Sequence, residues 1–144
     1  MRYVVLSLTL LLLVACQVEP QKIEYGTDAC HFCDMTIVAP QHASQMVTSK
    51  GKAYKYDAIE CMVHSLQDEF KDTEMAYILV ADFDRPGELI NASDAGYLVS
   101  EEIKSPMGEN LSAFNGKEAA EKAKEKFTGK VFTWEEIKKH LALR

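Results

Sequence analysis

Cys30-His31-Phe32-Cys33-Asp34-Met35 places two thiols and one thioether within six residues, just past a polar N-terminal arm. So dense a set of soft donors constrains the fold around it, because reactive sulfur has to be both presented and protected. Soft donors favour soft ions, and Cu(I) accepts thiolate and thioether alike. A Cys-x-x-Cys pair is also compatible with a structural disulfide, half of a zinc site or a thiol–disulfide redox pair. Met is a common filler of irregular core gaps, so Met35 alone does not choose among these. The expectation is that this hexapeptide forms half of a copper site and that the rest of the chain presents it.

The start of the chain sets the compartment. Arg2 precedes an apolar run from Val4 to Ala15 that only Ser7 and Thr9 interrupt. That is the length of a secretory h-region and too short for an ordinary transmembrane helix. The run ends Leu13-Val14-Ala15-Cys16, which looks like a bacterial lipobox. The alternative is an ordinary signal peptide cut nearby, with Cys16 a spare thiol. The expected organisation is a lipoprotein signal peptide over 1–15, a lipidated Cys16 with a tether to residue 28, and a domain over 29–144. Such a protein sits in the bacterial cell envelope, anchored to the membrane by lipid and facing the periplasm.

The full chain holds 16 Lys+Arg against 22 Asp+Glu. Loss of Arg2 deepens the acidic excess to about seven charges. That argues against nucleic acid as a partner, since phosphate binding needs a basic footprint. Export would leave Cys30, Cys33 and Cys61 in an oxidising compartment, where three thiols cannot all pair within one chain. Metal ligation is one way to protect them.

Along the chain, Gln17 to Asp28 shows no periodicity and contains Pro20 and Gly26, as a tether would; extended, it spans at most ~40 Å. Met35 to Ala39 is a short β-leaning run. Gln45–Thr48 and Ala53–Tyr56 flank Ser49-Lys50-Gly51-Lys52, which is hairpin chemistry. Asp57-Ala58-Ile59-Glu60 reads as a capping box with Asp57 as the helix cap. In the helix that follows, Ile59, Met62, Val63, Leu66 and Phe70 form one core-facing stripe. Cys61 and His64 lie roughly 140–160° from its centre and share a face. The functional reading is that this face looks at the Cys30–Cys33 loop and supplies a ligand; the alternative is a partly exposed surface pair.

Met75 to Phe83 is near-continuously apolar and predicts a central strand buried on both faces. Ile90–Ala92, Tyr97–Val99 and Leu111–Phe114 predict further short strands. Ser105-Pro106-Met107-Gly108 brackets a methionine on a loop, as a second thioether ligand or as a Met packed over a turn. Lys117–Phe127 predicts a helix with Ala119, Ala120, Ala123 and Phe127 on its apolar stripe and Gly129 past its end. Thr133-Trp134-Glu135-Glu136 is a second capping box, opening a helix that buries Trp134, Ile137 and Leu141. The order of strands, helix and strand occurs twice, in halves of about 29–87 and 88–144 with a sulfur-bearing loop in each. The expected fold class is α+β, two similar ββαβ units packed as one compact domain.

With these residues together, the chain resembles the NosL family of nitrous oxide reductase accessory lipoproteins. The resemblance runs through the lipobox at Cys16, the Cys30–Met35 segment, Tyr56-Asp57-Ala58-Ile59-Glu60-Cys61-Met62, Ser105-Pro106-Met107-Gly108 and Val131-Phe132-Thr133-Trp134. It implies a Cu(I) metallochaperone that supports assembly of the copper–sulfide cluster of nitrous oxide reductase in denitrification. It also implies that Cys33, Met35 and Met107 are metal ligands. Many members have another residue at the position of Cys30, leaving open whether Cys30 is a ligand or a guard for Cys33. The candidate ligands are therefore Cys30, Cys33, Met35, Met107, Cys61 and His64. No nucleophile–base–orienter set is present, and no turnover is expected. Two other readings stand beside the carrier: a thiol–disulfide oxidoreductase using Cys30 and Cys33, and a lipoprotein stapled by zinc on Cys30, Cys33, Cys61 and His64.

Overall fold

The structure, a computed structural model, describes residues 17–143, so the expected signal peptide and lipidated Cys16 lie outside the described residues. The elements are β1 (Ser44–Thr48), β2 (Ala53–Tyr56), α1 (Ile59–Gln67), β3 (Met75–Ala81), β4 (Leu89–Asn91), β5 (Gly96–Val99), β6 (Leu111–Phe114), α2 (Lys117–Phe127), β7 (Lys130–Phe132) and α3 (Trp134–Ala142). Among the described residues, no helix is long and apolar enough to cross a membrane.

The strands form two sheets, ordered β2-β1-β3-β4 and β6-β5-β7. In each, the first strand in sequence is flanked by its hairpin partner and by the strand that returns after the helix, all antiparallel. The runs β1–β2–α1–β3 and β5–β6–α2–β7 are therefore two similar ββαβ units, the expected α+β architecture. β4 lies beyond residue 88 yet pairs with β3 and extends the first sheet. The sheets meet at a parallel bridge between Asp82 and Ala113, where the Phe83 amide donates to the Ala113 carbonyl at 2.8 Å. The sulfur-bearing loops are not equivalent in the two units: residues 30–35 precede β1, whereas Met107 lies between β5 and β6.

One apolar core crosses both units, from Met46, Ile59, Met62 and Val63 to Tyr97, Phe132, Trp134, Ile137 and Leu141. A smaller cluster of Leu98, Ile103, Phe114 and Ala120 lies under α2, with Ala119, Ala123 and Phe127 packed on it. The helix sits very close to its sheet at Gly96, where an added Cβ would fall 2.6 Å from the Gly116 carbonyl oxygen. α3 begins with the expected capping box, the Thr133 amide donating to Glu136 Oε2 at 2.8 Å.

Three expectations need correction. Met35–Ala39 forms no strand, only an isolated bridge between Thr36 and Ala29, because the chain there is spent closing a loop. β3 ends at Ala81, and its first half is open to solvent, with Tyr77 exposed. An interior strand of an antiparallel sheet can keep one solvated face, and an apolar run does not reveal that. Finally, the residue capping α1 is Ala58, with no side-chain bond, rather than Asp57.

The segment read as a tether holds no helix or strand among its described residues, yet part of it is fastened down. The Gln45 side chain accepts from the Gln21 amide at 2.8 Å and donates to the Gln21 carbonyl at 2.7 Å. β1 is buried along its whole length, although three of its five residues, Ser44, Gln45 and Thr48, are polar.

Candidate metal centre

The site forms where a tight loop meets the start of α1. Residues 29–36 make the loop, closed by the Ala29–Thr36 bridge and by the Cys30 amide donating to the Met35 carbonyl at 2.8 Å. Asp34, at φ 61°, reverses the chain in a left-handed conformation that short polar side chains tolerate. The loop is held to β2 by the His31 amide, which donates to the Lys55 carbonyl at 2.9 Å. The His31 ring packs 4.6 Å from Tyr54 and 5.6 Å from Phe70, with Nε2 2.9 Å from Glu69 Oε2. That arrangement makes His31 a brace for the loop.

The β2–α1 connection contributes Asp57 and, in the first turn of α1, Cys61. The Sγ atoms of Cys30, Cys33 and Cys61 and one carboxylate oxygen of Asp57 lie within 4.8 Å of one another. Cys30 and Cys61 are fully buried, Asp57 is 2% exposed, and Cys33 is partly open. All three thiols are free. Cys33 Sγ donates to Asp57 Oδ1 at 3.6 Å, while Asp57 Oδ2 is buried without a hydrogen-bond partner.

The three sulfurs differ in acidity. The Cys61 thiol donates to Cys30, and with amide bonds from Asp57 and Cys33 this draws Cys30 down to about 6, against the desolvation that opposes it. Cys61 is driven well above the ordinary thiol range, first by that donation and then by burial and the neighbouring charge. Cys33 is raised chiefly by desolvation. Of the three sulfurs Cys30 is thus the most acidic, and a cation entering the cluster would displace protons from the others.

The predicted ligands divide clearly. Cys30, Cys33 and Cys61 come together, and α1 does present Cys61 to the loop. Met35 and Met107 stand exposed, at 51% and 40%, among few large apolar side chains so open. The Met107 loop is tied to α1, because the Ser105 hydroxyl donates to the Glu60 carboxylate one residue before Cys61. His64 is not drawn into the cluster; its ring stacks on Phe32 with centroids 5.7 Å apart. Asp57 joins the cluster but was not among the expected ligands, because an acid ahead of a helix reads as a cap. Its place four residues before Cys61, in the segment that leads into α1, was the available signal.

Fold and site together define a small α+β domain that gathers sulfur-rich, soft donors beneath a corner left open at Cys33. The chain belongs to the NosL family, which it matches over residues 20–142. Its structure is similar to the crystal structure of the copper chaperone NosL from Shewanella denitrificans, with a TM-score of 0.70 and 24% sequence identity over 83% of this chain and 96% of that one. At that identity the likeness speaks for the fold. No curated protein matches the chain.

Proposed function

We propose that this protein is a membrane-anchored, extracytoplasmic Cu(I)-binding metallochaperone that delivers copper to an enzyme under assembly, with nitrous oxide reductase as the client. The observation that carries the reading is the convergence of three cysteine sulfurs in a chain of the NosL family that also exposes two methionines, Met35 and Met107. The structural neighbour is itself a copper chaperone. A carrier has to hold its ion and then surrender it by ligand exchange. Cys33, Met35 and Met107 suit this because an incoming ligand can reach an ion held on exposed sulfur before an old bond breaks.

The oxidoreductase reading is disfavoured by the arrangement of the thiols. Exchange needs an accessible sulfur of lowered pKa. Here the acidified sulfur, Cys30, is fully buried, and the accessible one, Cys33, is raised. The carrier therefore works without turnover.

The test is anaerobic Cu(I) competition against a chelator, on the reduced chain and on Met35→Ala and Met107→Ala, followed by transfer to copper-free nitrous oxide reductase. Weaker retention in both variants, with copper appearing in the acceptor, is the expected result. Retention indifferent to both methionines would overturn the carrier reading.

A further inference from the structure

We propose that Cys30, Cys33, Cys61 and Asp57 form a four-coordinate site for a divalent ion of the zinc class, distinct in chemistry from Cu(I) carriage. The donors arrive from a loop and a helix start that are each fixed by backbone hydrogen bonds, and they already lie within 4.8 Å of one another. A tetrahedral ion with bonds of about 2.0–2.3 Å needs donors ~3.3–3.8 Å apart, so a small inward shift of side chains completes the site. Two sulfurs are fully buried and the carboxylate is 2% exposed, which is the closed character of a structural site.

Asp57 decides the class of ion. Its Oδ2 is a buried acceptor with no partner among the described residues, and an orphaned carboxylate oxygen is costly unless a cation or donor meets it. A cation placed among the three sulfurs would supply that partner. Cu(I) favours sulfur alone, whereas zinc accepts thiolate and carboxylate together. Three thiolates and a carboxylate also place four negative charges in a buried space, which a divalent ion balances better than a monovalent one. His64, stacked on Phe32, has no place in this set.

Cys30, Cys33 and Cys61 are common to both readings, so the two ions exclude one another there. A divalent ion in the pocket would hold all three thiols against oxidation until Cu(I) displaces it. The inference shares thiols with the carrier reading but does not depend on it.

The experiment is anaerobic titration of the reduced full chain with Co(II), whose tetrahedral thiolate complexes absorb strongly in the visible, followed by displacement with Zn(II). One equivalent should bind, with three sulfurs and one oxygen around cobalt by X-ray absorption, and zinc should bleach the colour. Asp57→Asn should weaken binding by more than the roughly tenfold that loss of even an outer-shell partner costs. Met35→Ala, Met107→Ala and His64→Ala should leave it unchanged. An all-sulfur or histidine-containing shell in the unmodified chain would overturn the inference without recourse to any variant, as would failure to bind cobalt. Cobalt binding without Cu(I) retention would remove the carrier reading alone; Cu(I) retention without cobalt binding would remove this inference alone.

Discussion

The Ser105 hydroxyl donates to the Glu60 carboxylate across 45 residues of chain, joining the loop that bears Met107 to the residue beside Cys61. Both are buried, and Ser105 Oγ also accepts from the Asn110 amide at 2.9 Å. Glu60 Oε2 already lacks a partner, so Ser105→Ala would take the side-chain hydrogen bond away from a buried carboxyl that is already under-satisfied. The expected loss is about 1–3 kcal/mol in urea unfolding. Cu(I) retention should fall to the level of Met107→Ala. Unchanged retention in Ser105→Ala, with Met107→Ala impaired, would show that the loop is positioned without this tie.

Glu60 also gives a pH signature. Burial lifts its pKa above the ordinary 4.5, outweighing the Ser105 bond that lowers it. Between the unfolded and folded values the native chain binds more protons than the unfolded one, so stability falls as pH rises through that window. Below it the penalty is absent, and above it the penalty is complete. Glu60→Gln keeps an acceptor for Ser105 and removes the charge. Its stability relative to the parent should therefore climb from about pH 4.5 upward and then level off, as read from melting temperatures at a series of pH values.

The thiols should label in order of access. Iodoacetamide on the folded, metal-free chain should reach Cys33 first, and faster as pH rises, because its pKa is raised. Cys30 and Cys61, with no exposed surface, should react only after denaturation, in spite of the acidity of Cys30. Peptide mapping by mass spectrometry reads the order. Labelling of Cys30 ahead of Cys33 would mean that the loop over residues 29–36 opens in solution.

Gly96→Ala tests the packing of α2 on the second sheet. The new methyl would meet the Gly116 carbonyl oxygen at 2.6 Å, Lys117 Cα at 2.8 Å and Ala120 Cβ at 2.9 Å. Two of these neighbours are backbone atoms and cannot swing aside, so overpacking should cost about 1–3 kcal/mol. The midpoint of denaturant unfolding measures this, and Cys33 labelling in the folded protein should be unaltered.

Local chemistry made much of the fold legible. Gly51, at φ 84°, supplies the turn between β1 and β2. The stripe from Ile59 to Val63 and the box at Thr133 and Glu136 follow from helical spacing and unpaired end groups. What stayed hidden depended on neighbours distant in sequence. Nothing in the apolar run of β3 tells which face will be covered. An aspartate before a helix can bond its amides or turn to a sulfur, and only the Cys30–Cys33 loop packed alongside decides that for Asp57. His64 shares a helical face with Cys61, but its ring stacks on Phe32 of the loop and is not among the four groups that cluster.

The Gln45 amide, which gives and takes one hydrogen bond with Gln21, serves as a substitute peptide group, extending the reach of β1 with a side chain in place of another strand. The folding unit accordingly begins well upstream of its first cysteine, close to where the family match begins at residue 20. A shortened chain starting at the sulfur-bearing loop would keep every donor atom yet lose both hydrogen bonds by which Gln45 holds the upstream segment against β1.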